Sequence, residues 1–310
     1  MIDDDQLRAF AFFSANVHKL MPNVPYEHHA GLFEEAGRFV QLAADDRLCH
    51  HWLETGACSA APPVDLTQPG VIAAYHTGPY RLLPMWLAKH GVSITLVVSA
   101  DVAQDQRNTY NEWHRLLGAE KGSFAMLDAE DPLVVLKMIR ALGRGDFLLV
   151  YVDGNMGSGQ AQSRSALTVD FLAHQIRVRT GVAEVARLAS VPIYPILSRF
   201  DVADRPQFDV LPCINPVSVR QDRNAWVAET MRLIYGHLSG LLADNPMQWE
   251  GWYYVHGDMV CGEAAQVTEW FRFYLPFRLR EHHFLLHKDS YRAYRLSERL
   301  YQQLRKSVLK

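Results

Sequence analysis

His76 is the residue of this 310-residue chain best suited to proton transfer. It follows the apolar run Val71-Ile-Ala-Ala-Tyr and precedes Thr77-Gly-Pro, a pattern typical of a buried strand that breaks into a loop. A histidine at such a position is held by rigid backbone yet meets solvent. Because its ordinary pKa is about 6.5, it can accept a proton at neutral pH, as a general base does. A structural role is the competing interpretation, because the chain contains 14 histidines.

A glycine-rich loop, Asp153-Gly154-Asn155-Met-Gly-Ser-Gly, follows a second apolar run. Backbone N–H groups of such a loop can surround an anion such as phosphate. The loop lacks the lysine of a P-loop and the helix spacing of a dinucleotide fingerprint. Two interpretations therefore stay open: the loop binds an anion, or it is a flexible cover over the site.

Two arginines, Arg177 and Arg179, stand directly before a predicted helix that opens at Thr180-Gly181. The N–H groups and dipole of a helix N-terminus attract anions, and guanidinium groups bind phosphate through paired hydrogen bonds. This combination indicates a ligand that carries phosphate. The alternative is that these arginines pair with surface carboxylates such as Glu184.

Strands and helices alternate around these residues. Predicted strands cover 71–75, 93–99, 146–152, 168–172 and 191–200, and predicted helices cover 80–89, 106–117, 132–142, 180–189 and 223–243. This order predicts an α/β fold with a single central, mostly parallel sheet flanked by helices, and functional loops at the carboxyl ends of its strands. We expect one domain over 1–310, with a helical lead-in over 1–65, the α/β core over 66–256, and a basic, aromatic, helical extension over 257–310.

The composition excludes several classes of protein. Hydrophobic residues make up 49% and charged residues 21%, so the chain is not disordered, collagen-like or a coiled coil. A net charge of -3 gives no general attraction to nucleic acid. Four widely spaced cysteines without a CxxC pair favour neither a zinc site nor a disulfide scaffold, so no metal and no tightly bound cofactor are expected. With no export signal and no membrane-spanning run, we expect a cytoplasmic protein.

The last forty residues differ in charge from the rest. Residues 271–310 contain 10 Lys and Arg but 3 Asp and Glu, and an aromatic segment begins them. A basic, aromatic stretch over 270–310 could bind the inner face of a membrane or an acidic carrier protein by the same electrostatics. The alternative is a helix whose aromatic residues pack on the domain while its arginines face water.

Several motifs occur in an order that resembles one protein family. They are His76-Thr-Gly-Pro-Tyr, Asp153-Gly, Phe171-Leu, Thr180-Gly181-Val-Ala-Glu-Val-Ala-Arg-Leu-Ala, Val191-Pro-Ile-Tyr-Pro and Asn245-Pro-Met-Gln-Trp. Over residues 65–256 their order and spacing resemble the lipid A late (lauroyl/myristoyl) acyltransferases, within the larger group of glycerolipid and lysophospholipid acyltransferases. The Thr-Gly helix followed by the Pro-x-x-Pro strand is the most specific part of the resemblance.

This resemblance implies transfer of an acyl group from an acyl-carrier-protein or coenzyme A thioester to a hydroxyl, amine or carrier-bound acceptor. His76 matches the family's general base. The residues implied to bind substrate beside it come from the same two loops, namely Thr77, Gly78, Gly154 and Asn155.

Arg81 is the main departure from the family pattern. In the family an acidic residue five positions after the histidine orients the imidazole ring, but an arginine cannot accept a hydrogen bond and disfavours imidazolium. Three explanations remain open. Asp153 supports His76 in place of the missing acid; Arg81 holds a phosphopantetheine phosphate and His76 works alone on an amine or thiol; or catalysis has been lost and a binding module remains.

We therefore expect an acyltransferase of a lipid or secondary biosynthetic pathway, with His76 and Asp153 catalytic, with an acyl or peptidyl carrier protein as partner, and with no nucleic acid bound. The further residues expected to bind substrate are Arg81, Arg177, Arg179 and Thr180. A non-catalytic carrier-binding or membrane-docking protein is the alternative. A serine hydrolase is disfavoured, because none of the candidate serines lies in a Gly-x-Ser-x-Gly elbow: Ser158, Ser163 and Ser165.

Overall fold

A six-stranded sheet forms the centre of the protein. The structure, a computed structural model, describes residues 3–56, 66, 68–118, 121–154, 166–216, 222–260 and 273–308. The strands of the central sheet are β1 (Val71–Ala74), β2 (Ile94–Val98), β3 (Phe124–Asp128), β4 (Phe147–Tyr151), β7 (Ile193–Phe200) and β8 (Pro206–Val210). They lie in the order β3-β2-β4-β1-β7-β8, and only β8 runs antiparallel to its neighbour. The predicted α/β class with a mostly parallel sheet is confirmed.

Helices flank this sheet. They are α4 (Leu83–Lys89), α5 (Ala100–Leu116), α6 (Val134–Gly143), α7 (Gly181–Ala189) and α8 (Arg223–Asp244). Every residue of β1 is buried, as expected of a central parallel strand that is covered on both faces. Helix α5 begins six residues earlier than predicted, because the Ser99 side chain accepts a hydrogen bond from the Val102 N–H and caps the helix.

A separate two-stranded hairpin lies between β4 and α7. Its strands are β5 (Ala166–Phe171) and β6 (His174–Arg179), which pair antiparallel. The predicted strand at 168–172 therefore belongs to this hairpin and not to the central sheet. Leu172 has a φ of 51°, in the left-handed region that a tight turn requires. Strands β3, β6 and β8 were not predicted, because their apolar runs are short or interrupted by charged residues.

Three helices, α1 (Asp4–Leu20), α2 (His29–Ala44) and α3 (Asp46–Thr55), confirm the N-terminal helical extension. Asp3 caps α1: its side chain accepts a hydrogen bond from the Gln6 N–H, and the Gln6 side chain accepts one from the Asp3 N–H. Asp45 caps α3. Among the described helices, none is long and apolar enough to cross a bilayer.

The C-terminal extension is mostly a sheet, so the expectation of a helical segment over 257–310 is wrong for residues 274–296. Strands β9 (Tyr274–Leu279), β10 (His282–His287) and β11 (Ala293–Leu296) form an antiparallel sheet, and α9 (Glu298–Val308) follows it. Leu275 and Phe277 are buried against residues of α1, with the period of two that a one-faced strand shows. The aromatic residues of β9 thus pack on the protein, while Trp270 and Phe271 lie outside the described residues.

Candidate functional site

His76 and Asp153 meet at the carboxyl ends of two neighbouring strands. The register of β1 and β4 pairs Ala74 with Tyr151, and each strand is followed two residues later by His76 or Asp153. Because parallel strands end at the same edge of a sheet, this register brings two side chains 77 positions apart into contact. His76 Nδ1 lies 2.9 Å from Asp153 Oδ1.

The Asp153 carboxylate is buried and surrounded by donors. Its side chain is 2% exposed. It accepts hydrogen bonds from His76 Nδ1, from the His76 backbone N–H at 3.0 Å, and from Trp249 Nε1 at 2.8 Å. These bonds set the orientation of the imidazole ring. His76 Nε2 has no hydrogen-bond partner among the described residues, and 21% of the His76 side chain is exposed.

The surroundings of His76 make it a stronger base than an isolated histidine. Burial lowers its pKa, but the charge of Asp153, the hydrogen bond to Asp153 and the charge of Glu250 outweigh burial and raise the pKa above 6.5. The same carboxylate would stabilise the imidazolium that forms when Nε2 accepts a proton. The pair therefore has the geometry and the electrostatics of a general base with an orienting carboxylate.

Two tyrosines flank the His76 ring. The Tyr80 ring centroid lies 4.9 Å and the Tyr151 centroid 4.8 Å from the imidazole centroid. The Tyr151 hydroxyl donates to the Tyr80 carbonyl, and the Tyr80 hydroxyl donates to Glu250 Oε2 at 2.9 Å. Burial and the adjacent Glu250 raise the pKa of Tyr80, so its hydroxyl stays protonated. Sequence analysis did not identify Tyr80, Tyr151 or Glu250 as site residues; only their spacing from the two strand ends could have suggested the tyrosines.

The loop after His76 holds the 248–250 segment against the strand ends. Gly78 donates its backbone N–H to the Gln248 carbonyl, and Thr77 forms an antiparallel bridge with Trp249. Gly78 has a φ of 48°, and a Cβ there would lie 2.5 Å from the Arg199 Cα, so both conformation and space require glycine. The Thr77 hydroxyl is buried, with no partner among the described residues. Trp249 comes from the quoted Asn245-Pro-Met-Gln-Trp motif, which delivers it to Asp153.

Arg81 lies in the turn Tyr80–Leu82, with its guanidinium held by the junction of α2 and α3. It forms an ion pair with Asp46 at 2.9 Å, donates to the Ala44 carbonyl at 3.0 Å, and lies over the Trp113 ring. The carboxylate that binds His76 Nδ1 is thus Asp153, which follows another strand. The expected phosphate contact of Arg81 stays a prediction.

Arg177 and Arg179 share a small pocket with Asp153, Gly154 and Asp258. Its volume of about 20 Å³ has room for roughly one water molecule. Burial raises the pKa of Asp258 to about 6, although both arginines act to lower it. The structure therefore brings the predicted arginines to the Asp153 side of the dyad.

The remaining predicted residues have different outcomes. Thr180 directly precedes α7, although its side chain does not cap that helix. Glu184 pairs with Arg223 at 2.8 Å. Asn155 and the three candidate serines lie outside the described residues. In the described part of the chain, no group of three or more His, Cys, Asp or Glu side chains could hold a metal ion.

Comparisons with known proteins give structural likenesses but no match by sequence. No protein-family model and no curated protein matches the chain. The solved structure of the 1-acyl-sn-glycerophosphate (LPA) acyltransferase PlsC from Thermotoga maritima is similar to 76% of this chain and to 97% of its own chain. The TM-score is 0.33 and the sequence identity 10%, and a likeness at this level carries no conclusion about activity. Kinship with the lipid A late acyltransferases therefore stays a prediction.

Proposed function

We propose that this protein is an acyltransferase in which His76 is the general base and Asp153 its orienting carboxylate. The observation that carries the proposal is the 2.9 Å contact between His76 Nδ1 and Asp153 Oδ1, made by a carboxylate that is 2% exposed. It leaves Nε2 as the ring nitrogen available to a substrate. The contact also supplies the acid that the Arg81 position lacks.

The proposed reaction uses an acyl thioester and an acceptor X–H, where X is oxygen or nitrogen. Nε2 accepts the proton from X–H while X forms a bond to the thioester carbonyl carbon. The tetrahedral intermediate then expels the sulfur, and the imidazolium returns the proton to give a free thiol. Asp153 stabilises the positive ring between these two proton transfers.

The proposed donor is a phosphopantetheine thioester, carried either by an acyl or peptidyl carrier protein or by coenzyme A. Arg177 and Arg179 support this part of the proposal through their guanidinium groups, which suit phosphate and lie beside Asp153 and Gly154. The pocket that they line has room for about one water molecule, so the phosphate itself would bind outside it. The basic C-terminal segment supports contact with an acidic carrier less directly. Arg278 and Arg305 both lie within 3.4 Å of Asp4 carboxylate oxygens, so part of that charge is used inside the protein.

The test is intact-mass spectrometry of acyl-loaded carrier proteins, and thiol release from acyl-coenzyme A, with hydroxyl and amine acceptors. Wild type is compared with His76→Ala and with the control His51→Ala, which removes an exposed histidine from α3. Loss of a working general base should reduce the rate by about 10²–10⁴-fold, whereas the control should keep the wild-type rate.

Equal rates for wild type and His76→Ala would contradict the proposed role of His76, provided that thermal denaturation shows both proteins to be folded. Carrier binding without acyl loss in any variant would favour the non-catalytic carrier-binding protein instead. Thioester loss that requires acceptor and His76 would establish transfer and exclude simple hydrolysis.

A further inference from the structure

Glu250 is a second carboxylate at His76, on a different segment from Asp153. Its backbone N–H donates to the His76 carbonyl at 2.9 Å, so its position relative to the base is determined by backbone. Its Oε2 accepts the Tyr80 hydroxyl at 2.9 Å, which fixes the carboxylate beside the Tyr80 ring. The residue is half-buried, in contrast to the fully buried Asp153 side chain. Glu250 is therefore placed to meet a molecule that approaches the base.

The charge of Glu250 is not neutralised by a basic side chain of the described residues, since none forms an ion pair with it. Two arginines of adjoining segments, Arg81 next to Tyr80 in the chain and Arg199 whose backbone lies against Gly78, have other partners. Arg81 pairs with Asp46 at 2.9 Å, and Arg199 pairs with Asp209 at 2.7 Å. The Glu250 charge reaches the reacting group, because it helps to raise the pKa of His76. This side of the base therefore has a negative potential.

Tyr80, which donates its hydroxyl to the Glu250 carboxylate, packs against a second aromatic ring. The Tyr80 and Tyr151 rings meet edge to face with centroids 5.5 Å apart, and both flank the His76 imidazole. Faces of aromatic rings attract cations, particularly where water is partly excluded. Aromatic rings commonly line sites for quaternary ammonium groups, and a carboxylate beside them adds a direct attraction between opposite charges. A phosphate group, by contrast, would be repelled by Glu250.

From this arrangement we infer that Glu250, with Tyr80 and Tyr151, binds a positively charged group of the acceptor and so selects cationic acceptors over neutral or anionic ones. The inference rests on the proposed acyl transfer for its meaning, since it assigns the chemical class of acceptor. The acylated atom would be a hydroxyl or amine next to the cation. Glu250 acts here as a specificity-determining residue and takes no proton from the acceptor.

The first experiment measures binding without any donor. Choline and neohexyl alcohol have nearly the same shape and the same hydroxyl, but carbon replaces the charged nitrogen in neohexyl alcohol. In a ligand-observed NMR titration, wild-type protein should bind choline about tenfold more tightly than neohexyl alcohol, the size expected for a cation in a partly buried aromatic site. Glu250→Gln keeps an acceptor for the Tyr80 hydroxyl and removes the charge, so it should abolish the preference. Glu229→Gln, an exposed residue of α8, should retain it.

The second experiment measures acylation of the same two alcohols and of an anionic alcohol, 2-hydroxyethyl phosphate. The ratio of kcat/KM for choline over that for neohexyl alcohol should be about ten in wild type and about one in Glu250→Gln. The change in this ratio should come from KM and not from kcat. Removal of the Glu250 charge should also move the acid limb of the rate profile to lower pH. A residue with a merely structural role would change neither the ratio nor this limb.

Equal affinity of the wild type for choline and neohexyl alcohol would overturn the inference, as would a preference that survives in Glu250→Gln. Tighter binding or faster acylation of 2-hydroxyethyl phosphate than of choline would overturn it as well. A choline preference in binding that depends on Glu250, without acylation of any acceptor, would support the cation site and count against acyl transfer. The two proposals can therefore fail separately.

Discussion

Replacement of Asp153 by asparagine tests the central contact of the site. The carboxylate presents Oδ1 to His76 Nδ1 and Oδ2 to Trp249 Nε1, and both oxygens face the His76 backbone N–H. Asparagine is nearly the same size but has one acceptor oxygen and one amino group. The amide N–H bonds therefore face either Trp249 Nε1–H, which loses its acceptor, or His76 Nδ1, which must then carry its proton on Nε2 and cannot accept one there.

Two effects of different size should follow. One buried donor left without a partner costs about 1–3 kcal/mol, so Asp153→Asn should lose that much unfolding free energy. The loss of negative charge removes the main cause that raises the pKa of His76 and leaves the imidazolium unsupported. Since general-base catalysis contributes about 10²–10⁴-fold, kcat/KM should fall within that range.

The assay combines urea denaturation with rate measurements, both repeated between about pH 5 and pH 9 in steps of about one pH unit. In wild type the native pKa of His76 lies above its unfolded value of 6.5, so stabilisation by this pair is fully present below pH 6.5. It is lost as pH rises through the native pKa. Asp153→Asn should abolish this slope and shift the acid limb of the rate profile to lower pH.

Trp249→Phe is the matched control, because it removes one hydrogen bond to Asp153 and keeps the charge. It should cost a similar unfolding free energy and retain the raised pKa of His76. A kcat/KM for Asp153→Asn within about threefold of wild type, at a pH where His76 is neutral in both, would refute the proposed role of the carboxylate. Equal losses of rate in both variants would show that packing, and not charge, matters.

Three further predictions concern stability, each measured by urea denaturation. Gly78→Ala should cost about 2–5 kcal/mol, because its φ is 48° and a Cβ would lie 2.5 Å from backbone, whereas Gly31→Ala, with nothing within 4 Å, should gain about 0.5–1 kcal/mol. Lys288 is fully buried, and burial lowers its pKa to about 7 from 10.5, so wild-type stability should rise with pH between those values. Lys288→Met should remove that rise and be more stable at pH 7; equal slopes would contradict the burial argument. Although burial acts to raise it, hydrogen bonds from the Tyr301 hydroxyl and the Arg278 guanidinium hold the pKa of Asp4 below 3.8, so Asp4→Asn should cost less than about 1 kcal/mol at pH 7. This cost should vanish as pH falls through the native pKa of Asp4, and a cost that persists there would exclude the ion pairs as its cause.

Long apolar runs made the central strands predictable. Strands β1, β2, β4 and β7 are mostly buried and read as continuous hydrophobic segments in the sequence. Strand β3 was missed, because at the edge of the sheet none of its residues is fully buried and its apolar signal is correspondingly weak. The charge and aromatic content of the C-terminal segment predict a helix, whereas the burial of Leu275 and Phe277 at alternate positions is typical of the strand that forms there.

The candidate site was predictable in part for the same reason. His76 and Asp153 each end a continuous apolar run, so local pattern placed both at strand ends. The sequence showed that Arg81 replaces the carboxylate expected from the resemblance. It did not show that Arg81 forms an ion pair with Asp46. Trp249 had a signal only as the last residue of the Asn245-Pro-Met-Gln-Trp motif, and Glu250 had none, because both follow α8 in a segment of short turns.

What the sequence alone determined is the kind of fold and the positions of a histidine and an aspartate at strand ends, since hydrophobic period and strand breaks are local properties. Only the tertiary structure decided which strands are neighbours. The order β2-β4-β1-β7 and the register of β1 with β4 bring Asp153 to His76 across 77 positions. Backbone hydrogen bonds from Gly78 to Gln248 and from Glu250 to His76 then add the second carboxylate. Such contacts depend on the pairing of distant segments, which no local pattern of residues encodes.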